Sequence, residues 1–193
     1  RGFFIMITMD TIIKDPNDIL RTKCDKVSLP LSKTDKDLLE DMLKYVRDSR
    51  NEDLAKEYNL MPAVGIAAPQ VGVNKQMTII SVEEYDAESD DVVLYEFALV
   101  NPVIVSKSEK KCALSNGEGC LSITTPYEGY VYRSMRIKVK AFDYLTNQQI
   151  ILNASGYLAV VIQHEIDHLN GILFYDHINE SEPWKEDTKA ILI

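Results

Sequence analysis

The sequence predicts an α+β fold in which antiparallel β-sheets surround one buried central helix. Apolar residues recur at helical spacing between residues 34 and 47, and several later segments are rich in β-branched and aromatic residues. Residues 156–169 are apolar on most sides, which is typical of a buried helix. A chain of 193 residues fits a single domain, here residues 1–193, that is large enough to enclose such a core.

The N-terminal part predicts two helices. Thr34 is followed three residues later by Asp37, a spacing similar to that of a capping box. An amphipathic helix is then expected to run to about Arg47, with an apolar face made of Leu38, Leu39, Met42, Leu43 and Val46. A second, short helix is predicted for residues 52–58 and ends before Pro62.

The middle of the chain predicts strands. These cover residues 77–82, 92–105 (interrupted at Asn101-Pro102), 130–142 and 149–152. A turn near Thr146-Asn147 indicates that the last two strands form a hairpin. The acidic segment Glu83 to Asp91 is predicted to be a solvated loop.

The buried helix is predicted for Gly156 to Leu169, with Asn170-Gly171 as its C-terminal stop. It contains His164, Glu165 and His168, which form an H-E-x-x-H pattern. Histidines four residues apart lie on one helix face, so both imidazoles can bind the same metal ion, with the glutamate placed for proton transfer. We therefore favour a metal site over two hydrogen-bonded core histidines, because polar groups on so apolar a helix need partners.

Composition excludes several classes of protein. The net charge of -9 argues against general nucleic-acid binding, and no apolar run approaches the length of a membrane span. Gly2 to Met9 is apolar but is broken by Asp10, so it is a poor signal peptide. Three cysteines do not make a disulfide framework, which favours a reduced, cytoplasmic setting. Arg1 to Ile5 precede the first Met and are either an expression remnant or part of a longer N-terminus.

Two imidazoles leave the coordination sphere incomplete, and several residues are candidates for the third ligand. A metzincin would have a third histidine where this chain has Phe174. Glu180 and Glu182 lie downstream in a polar tail expected to be solvated surface, and His177 follows an apparent strand near the end of the chain. Cys120 is the remaining candidate; it follows two glycines that let the backbone bend, and a Cys-His-His set leaves one position open, as a catalytic metal requires.

Three motifs follow one another along the chain: Ala63–Gln70, Gly117–Ser122 and Gln163–His168. They resemble the three signatures of the peptide deformylases and occur in that family's order. Ala63 departs from the pattern, in which a Gly stands at that position, so we expect a small difference in the loop or at the edge of the substrate groove. The long spacing between Gln70 and Cys120 resembles the larger deformylases of Gram-positive-type bacteria.

The resemblance implies a metal-dependent hydrolase that removes the formyl group from formyl-methionyl nascent polypeptides in the cytoplasm and releases formate. Cys120, His164 and His168 would bind Fe(II), with Ni, Co or Zn as replacements. Glu165 would act as general acid and base on a metal-bound water, and Gln70 and the Leu121 N–H would stabilise the oxyanion.

The resemblance also implies which residues contact substrate and what binds the protein. Five residues would line or border the methionine pocket or bond the peptide backbone: Val64, Gly65, Gly119, Val160 and Val161. Glu118 and Arg133 are expected to pair and hold the Cys120 loop, with little stabilisation if the pair is exposed. The formyl-methionyl peptide is the expected substrate, and the ribosome near its nascent-chain exit is a candidate partner.

Two rival functions are consistent with parts of the sequence. A metallopeptidase that cuts internal peptide bonds would share the H-E-x-x-H helix but would need an extended groove and another third ligand. A non-catalytic metal-binding homologue would need no proton carrier, and Glu165 argues against it.

Overall fold

The protein is an α+β domain with two mostly antiparallel sheets and three α-helices among the residues that the computed structural model describes, 6–86 and 89–193. The α+β class with antiparallel sheets is therefore confirmed. The helices are α1 (Lys33–Ser49), α2 (Glu52–Glu57) and α3 (Gly156–Leu169). The strands are β1 (Gly65–Ala67), β2 (Met77–Asp86), β3 (Asp91–Lys107), β4 (Lys111–Ala113), β5 (Arg133–Ser134), β6 (Arg136–Asp143), β7 (Gln148–Ser155) and β8 (Ile191–Leu192).

The large sheet has the order β1-β2-β3-β6-β7 and is antiparallel throughout. A small sheet has the order β5-β4-β8, with β4 and β8 parallel. Side chains of β2 alternate between two cores: Ile79 packs with the apolar face of α1, whereas Ile80 and Val82 pack with α3. The large sheet is thus covered on both faces at the start of β2, which explains why the first six residues of that strand are all buried, whereas β6 alternates between buried and exposed residues.

The cap of α1 lies two residues earlier than the sequence predicts. Ser32 is the N-cap: its Oγ accepts from the Asp35 N–H at 3.1 Å and donates to the Asp35 carboxylate at 2.6 Å. Thr34 is already inside the helix. Either residue can cap in principle, and the reciprocal bonds of Ser32 with Asp35 decide between them.

The acidic segment predicted to be a loop is mostly strand, so that prediction was wrong. Residues Glu83 to Asp86 continue β2 and pair with Asp91 to Leu94 of β3. Residues 87 and 88 of the predicted loop lie outside the described residues. Backbone N–H and C=O groups can pair in this hairpin irrespective of the type of side chain, and the carboxylates remain at the partly exposed end of the sheet. The predicted interruption at Asn101-Pro102 is confirmed as a shift of register between Val100 and Val103.

The segment predicted as one strand over residues 130–142 is divided between the two sheets. Met135 separates β5, in the small sheet, from β6, in the large sheet. Gln163 of α3 accounts for the position of β5, because its side-chain amide donates to the Ser134 carbonyl at 2.9 Å and accepts from the Ser134 N–H at 3.1 Å. This contact brings the neighbouring Arg133 onto the helix that contains the histidines.

The helix α3 has the bounds expected from its apolar pattern, and ten of its fourteen residues are buried. Asn170 is its C-cap, and Gly171 follows with a φ of 72°. Among the described residues, no helix has both the length and the apolar character that crossing a membrane requires.

A buried carboxylate at the start of α1 leads to a stability prediction. Burial raises the pKa of Asp35, but hydrogen bonds from Lys75 and Ser32 outweigh burial and lower it overall. The resulting stabilisation is present above the ordinary carboxyl pKa of 3.8 and is lost as the pH falls through the lower folded value. Lys75→Met is expected to lower the free energy of unfolding at pH 7 by about 0.5 to 1 kcal/mol, since solvent screens the partly exposed lysine.

Urea denaturation between pH 7 and pH 3 tests this expectation. Lys33→Met is the control, because Lys33 pairs with Asp37 on the same helix but its side chain is 78% exposed. The difference in the free energy of unfolding between wild type and Lys75→Met should decrease toward pH 3. A difference that is independent of pH would contradict the role of Asp35.

Candidate metal centre and cavity

Three potential metal ligands meet between α3 and the loop after β4. Cys120, His164 and His168 each present a ligand atom, and these atoms lie within 4.8 Å of one another. The two histidines project from one face of α3, one turn apart, and the Cys120 sulfur lies 3.3 Å from His168 Nε2. One thiolate and two imidazoles form a donor set typical of zinc, iron, nickel or cobalt.

Glu118 orients His164 within this cluster. The Glu118 carboxylate lies 2.8 Å from His164 Nδ1, so the other ring nitrogen is left for the cluster. Arg133 binds the same carboxylate through Nε at 2.5 Å and Nη2 at 2.9 Å, and it binds Asp167 through Nη1 at 2.8 Å. The predicted Glu118–Arg133 pair is present but buried rather than exposed, with only 3% and 4% of the side chains accessible.

The charges around the cluster favour a cation there. Burial lowers the pKa of His164, but contacts with Cys120 and Glu118 and the charge of Glu165 outweigh burial and raise that pKa to about 10. Burial and the charge of His164 hold the pKa of His168 well below its ordinary value, so this imidazole is neutral, whereas a bound cation would replace the proton that the raised pKa indicates on His164. The donor set and the negative surroundings therefore fit a divalent metal ion.

Glu165 is buried beside the cluster. Its Oε2 atom has no hydrogen-bond partner within the described part of the protein. Burial raises the pKa of Glu165 to about 7, although the charges of His164 and Arg133 lower it. A carboxyl group with such a pKa can both accept and release a proton near neutral pH.

Gln70 reaches the cluster from the short 3-10 helix after β1. Its Oε1 accepts from the Ala67 N–H at 2.9 Å, which turns the NH₂ group toward the site. The Gln70 Nε2 then donates to Ser122 Oγ at 3.2 Å and lies 3.5 Å from Cys120 Sγ. The amide is therefore held by its oxygen, and one N–H faces the cluster.

A cavity of about 450 Å³ opens beside these groups. Its walls include Gln70, Cys120, Leu121, His164 and Glu165, together with all five predicted substrate contacts: Val64, Gly65, Gly119, Val160 and Val161. Ala63 also lines it and has no positive φ, so this backbone accommodates the Ala that departs from the motif.

The other candidates for a third ligand lie elsewhere. His177 Nε2 is 2.8 Å from Asp167 Oδ2 and belongs to no metal-binding group among the described residues. Glu180 and Glu182 are exposed. Phe174 is buried and stacks on the His164 ring, with centroids 6.1 Å apart. The structure thus brings Cys120 to the histidines and leaves His177, Glu180 and Glu182 outside.

Some residues of the site were not predicted from the sequence. The contact of Glu118 with His164 was missed, although its position two residues before Cys120 is a signal that places it near the cluster. Five further cavity-lining residues were also missed: Arg50, Met61, Pro62, Leu114 and Tyr157. They come from separate parts of the chain and share no motif.

Comparisons with known proteins agree on one family. The model of the polypeptide deformylase family matches residues 9–184. A peptide deformylase of Oceanobacillus iheyensis is 47% identical over 93% of this chain and 94% of its own length, and peptide deformylase 2 of Bacillus subtilis is 44% identical over 97% and 99%. The crystal structure of the class I type b peptide deformylase from Acinetobacter baumannii with Met-Ala-Ser bound aligns with a TM-score of 0.67 and 31% identity, covering 90% of this chain and 100% of that one.

The fold and the cluster define a class of α+β proteins with a Cys-His-His candidate metal centre on a buried helix. The chain belongs to the polypeptide deformylase family, and it is thus a hydrolase whose relatives and structural neighbours are peptide deformylases.

Gly65 controls the position of Glu165, and this contact leads to a prediction. A Cβ atom on Gly65 would lie 2.6 Å from Glu165 Oε1 and 2.8 Å from its Cδ, so the buried carboxyl group would have to move. We expect Gly65→Ala to lower kcat/KM by about 100-fold with metal content unchanged, because a shift of about 1 Å in a catalytic group has an effect of that size.

Gly119→Ala is the comparison for steady-state kinetics with a formylated peptide. It adds a Cβ in the same cavity, where no atom lies within 4 Å of it. The fall in kcat/KM for Gly119→Ala should be at least about tenfold smaller than the fall for Gly65→Ala. Equal losses in the two variants would show that crowding of Glu165 is not the cause.

Proposed function

We propose that this protein removes the N-terminal formyl group from formyl-methionyl peptides and releases formate. The observation that carries the proposal is the meeting of the Cys120, His164 and His168 ligand atoms with Glu165 and Gln70 in one cavity. This combination provides a cation site, a proton carrier and an amide donor within reach of the same bond.

Cys120, His164 and His168 would hold the metal ion, which we propose to be Fe(II), with Ni, Co or Zn able to replace it. A divalent ion held by these residues would supply Lewis-acid chemistry: it would polarise a carbonyl group and lower the pKa of water near neutral pH. The buried contact of Glu118 with His164 supports this assignment, because metal-binding imidazoles are commonly oriented by a carboxylate on their second nitrogen.

Glu165 is proposed to carry the proton. Its carboxylate accepts a proton as water attacks the formyl carbon, and it then delivers that proton to the amine that leaves as the carbon–nitrogen bond breaks. Gln70 and the Leu121 N–H are proposed to donate to the oxygen of the formyl group as negative charge develops on it. The Gln70 N–H that faces Cys120 makes only a long contact to sulfur, so a better acceptor can take it over.

The cavity suits a methionine side chain. Val64, Val160 and Val161 provide apolar walls, whereas Gly65 and Gly119 keep room for the peptide next to the catalytic groups. We propose that the methionine side chain lies against these valines and that Gly119 bonds the peptide backbone. Nascent chains in the cytoplasm would be the source of such substrates, with the ribosome near its exit as a proposed partner.

Formate release from formyl-Met-Ala-Ser, measured anaerobically together with metal analysis, tests the proposal. Air is excluded because an Fe(II)–thiolate site promotes oxidation of the cysteine. Acetyl-Met-Ala-Ser and unformylated Met-Ala-Ser are the comparison peptides. Cleavage of internal bonds would instead support the metallopeptidase alternative, and metal binding with no turnover would support a non-catalytic role.

A further inference from the structure

A three-residue segment near the N-terminus is bonded to both parts of the proposed oxyanion site. The Ile13 N–H donates to the Gln70 carbonyl at 2.8 Å, and the Asp15 N–H donates to the Ser122 carbonyl at 2.9 Å. Between them, Lys14 Nζ donates to the Leu121 carbonyl at 2.7 Å. These contacts join two segments that lie about fifty residues apart in the chain, so residues 13–15 tie the Gln70 helix to the Cys120 loop.

The segment is itself anchored on the body of the domain. Ile12, just before it, is buried in the core that includes Leu121 and the apolar face of α1. The Asp15 carboxylate accepts from the Tyr175 hydroxyl at 3.0 Å, which connects the other end to the region after α3. Lys14 therefore projects from a backbone held on both sides.

The bond from Lys14 differs from the two backbone bonds because its donor is charged. Charge-assisted hydrogen bonds are shorter and stronger than neutral ones, and this one acts on the carbonyl of the residue whose N–H is proposed to bind the oxyanion. Burial lowers the pKa of Lys14 while negative charge on Cys120 and Asp10 raises it, so its ammonium group is within electrostatic reach of the cluster.

We propose that Lys14 is a positioning residue that holds the Leu121 carbonyl and thereby aims the Leu121 N–H into the cavity beside the Gln70 amide. This inference rests on the proposed deformylation. When the Leu121 carbonyl is held in place, rotation about the backbone bonds of Leu121 is restricted. The Leu121 N–H therefore keeps its direction as negative charge develops on the oxygen of the formyl group. Lys14 acts through Leu121 and is not required to touch the substrate.

The test uses Lys14→Met, Lys14→Gln and Lys14→Arg in the metal-loaded protein. Lys14→Met keeps the aliphatic stem and removes the donor; we expect kcat for formyl-Met-Ala-Ser to fall about tenfold with KM within about twofold of wild type. Lys14→Arg should recover most of kcat, and Lys14→Gln, a neutral donor, should lie between Arg and Met. Metal content should be the same in all variants.

Lys110→Met is the matched control. Lys110 Nζ also donates to a backbone carbonyl at 2.7 Å, that of Lys189, but it lies outside the cavity. We expect this variant to have the kcat of wild type.

Three results would overturn the positioning role: an unchanged kcat in Lys14→Met and Lys14→Gln, a fall in kcat matched by loss of metal, or a rise in KM with kcat unchanged. If Lys14→Met does not fold, the other two variants decide: a kcat of Lys14→Arg above that of Lys14→Gln supports the positioning role, and equal values contradict it. An active wild type with Lys14 variants of equal kcat would reject this inference alone, whereas a wild type that releases no formate would reject the proposed function as well.

Discussion

Replacing Glu165 by Gln is expected to lower kcat for deformylation by about a thousandfold and to leave metal content unchanged. Glutamine keeps the volume that packs against Gly65 and Thr78 but cannot accept and release the proton. One carboxylate oxygen, Oε2, is buried without a hydrogen-bond partner among the described residues, and glutamine keeps an oxygen for the contact with Thr78. The effect should therefore fall on turnover rather than folding.

Kinetics with formyl-Met-Ala-Ser and metal analysis on the same samples check this result. Glu165→Ala should also bind metal and lack turnover, and Glu186→Gln, at an exposed position of the C-terminal segment, is the control for a carboxylate replaced elsewhere. Activity near the wild-type level in Glu165→Gln would mean that another group carries the proton. Loss of metal in that variant would place Glu165 in the coordination of the ion instead.

Replacing Cys120 by Ala is expected to weaken metal binding by more than about 100-fold and to abolish formate release. Loss of residues that merely orient metal ligands commonly weakens binding about 10- to 100-fold, and removal of a ligand should exceed that range. Two imidazoles without the thiolate make an incomplete donor set for the ions proposed here.

The other two cysteines provide matched controls. Cys24 and Cys112 are buried outside the cluster, and burial raises the pKa of the Cys24 thiol to about 11, where it is a poor ligand. Cys24→Ala and Cys112→Ala should keep stoichiometric metal in equilibrium dialysis. Stoichiometric metal in Cys120→Ala would contradict the assignment of its thiolate, and His177 would then be the next ligand to test.

The family could be recognised from the sequence because its signatures are short, local motifs. The three motifs that resemble deformylases occur in order, and the family model matches residues 9–184. The resemblance to the larger Gram-positive-type enzymes stays a prediction. The long spacing between Gln70 and Cys120 on which it rests is occupied mainly by β2, β3 and β4.

Errors in the fold occurred where backbone pairing or a long-range contact outweighs the structural preference of the individual residues. Polar Glu83 to Asp86 resemble a loop when considered alone, but their backbone pairs with β3. Met135 shows no local break, yet the chain changes sheets there because Gln163 holds Ser134 against α3. The first pairing is local to a hairpin, and the polarity of its side chains conceals it. The second depends on Gln163, which lies 29 residues from Ser134 and outside any window of neighbouring residues.

The sequence by itself determined that His164 and His168 share one face of an apolar helix, because the period of a helix sets that relation between residues four apart. Only the tertiary structure decided which distant groups meet them: Cys120 rather than His177, with Glu118 on His164 and Glu165 packed on Gly65. The physical reason is that a helix face follows from local geometry, whereas burial and charge pairing depend on how separate segments pack. The bond from Lys14 to Leu121, across more than a hundred residues, is of the second kind.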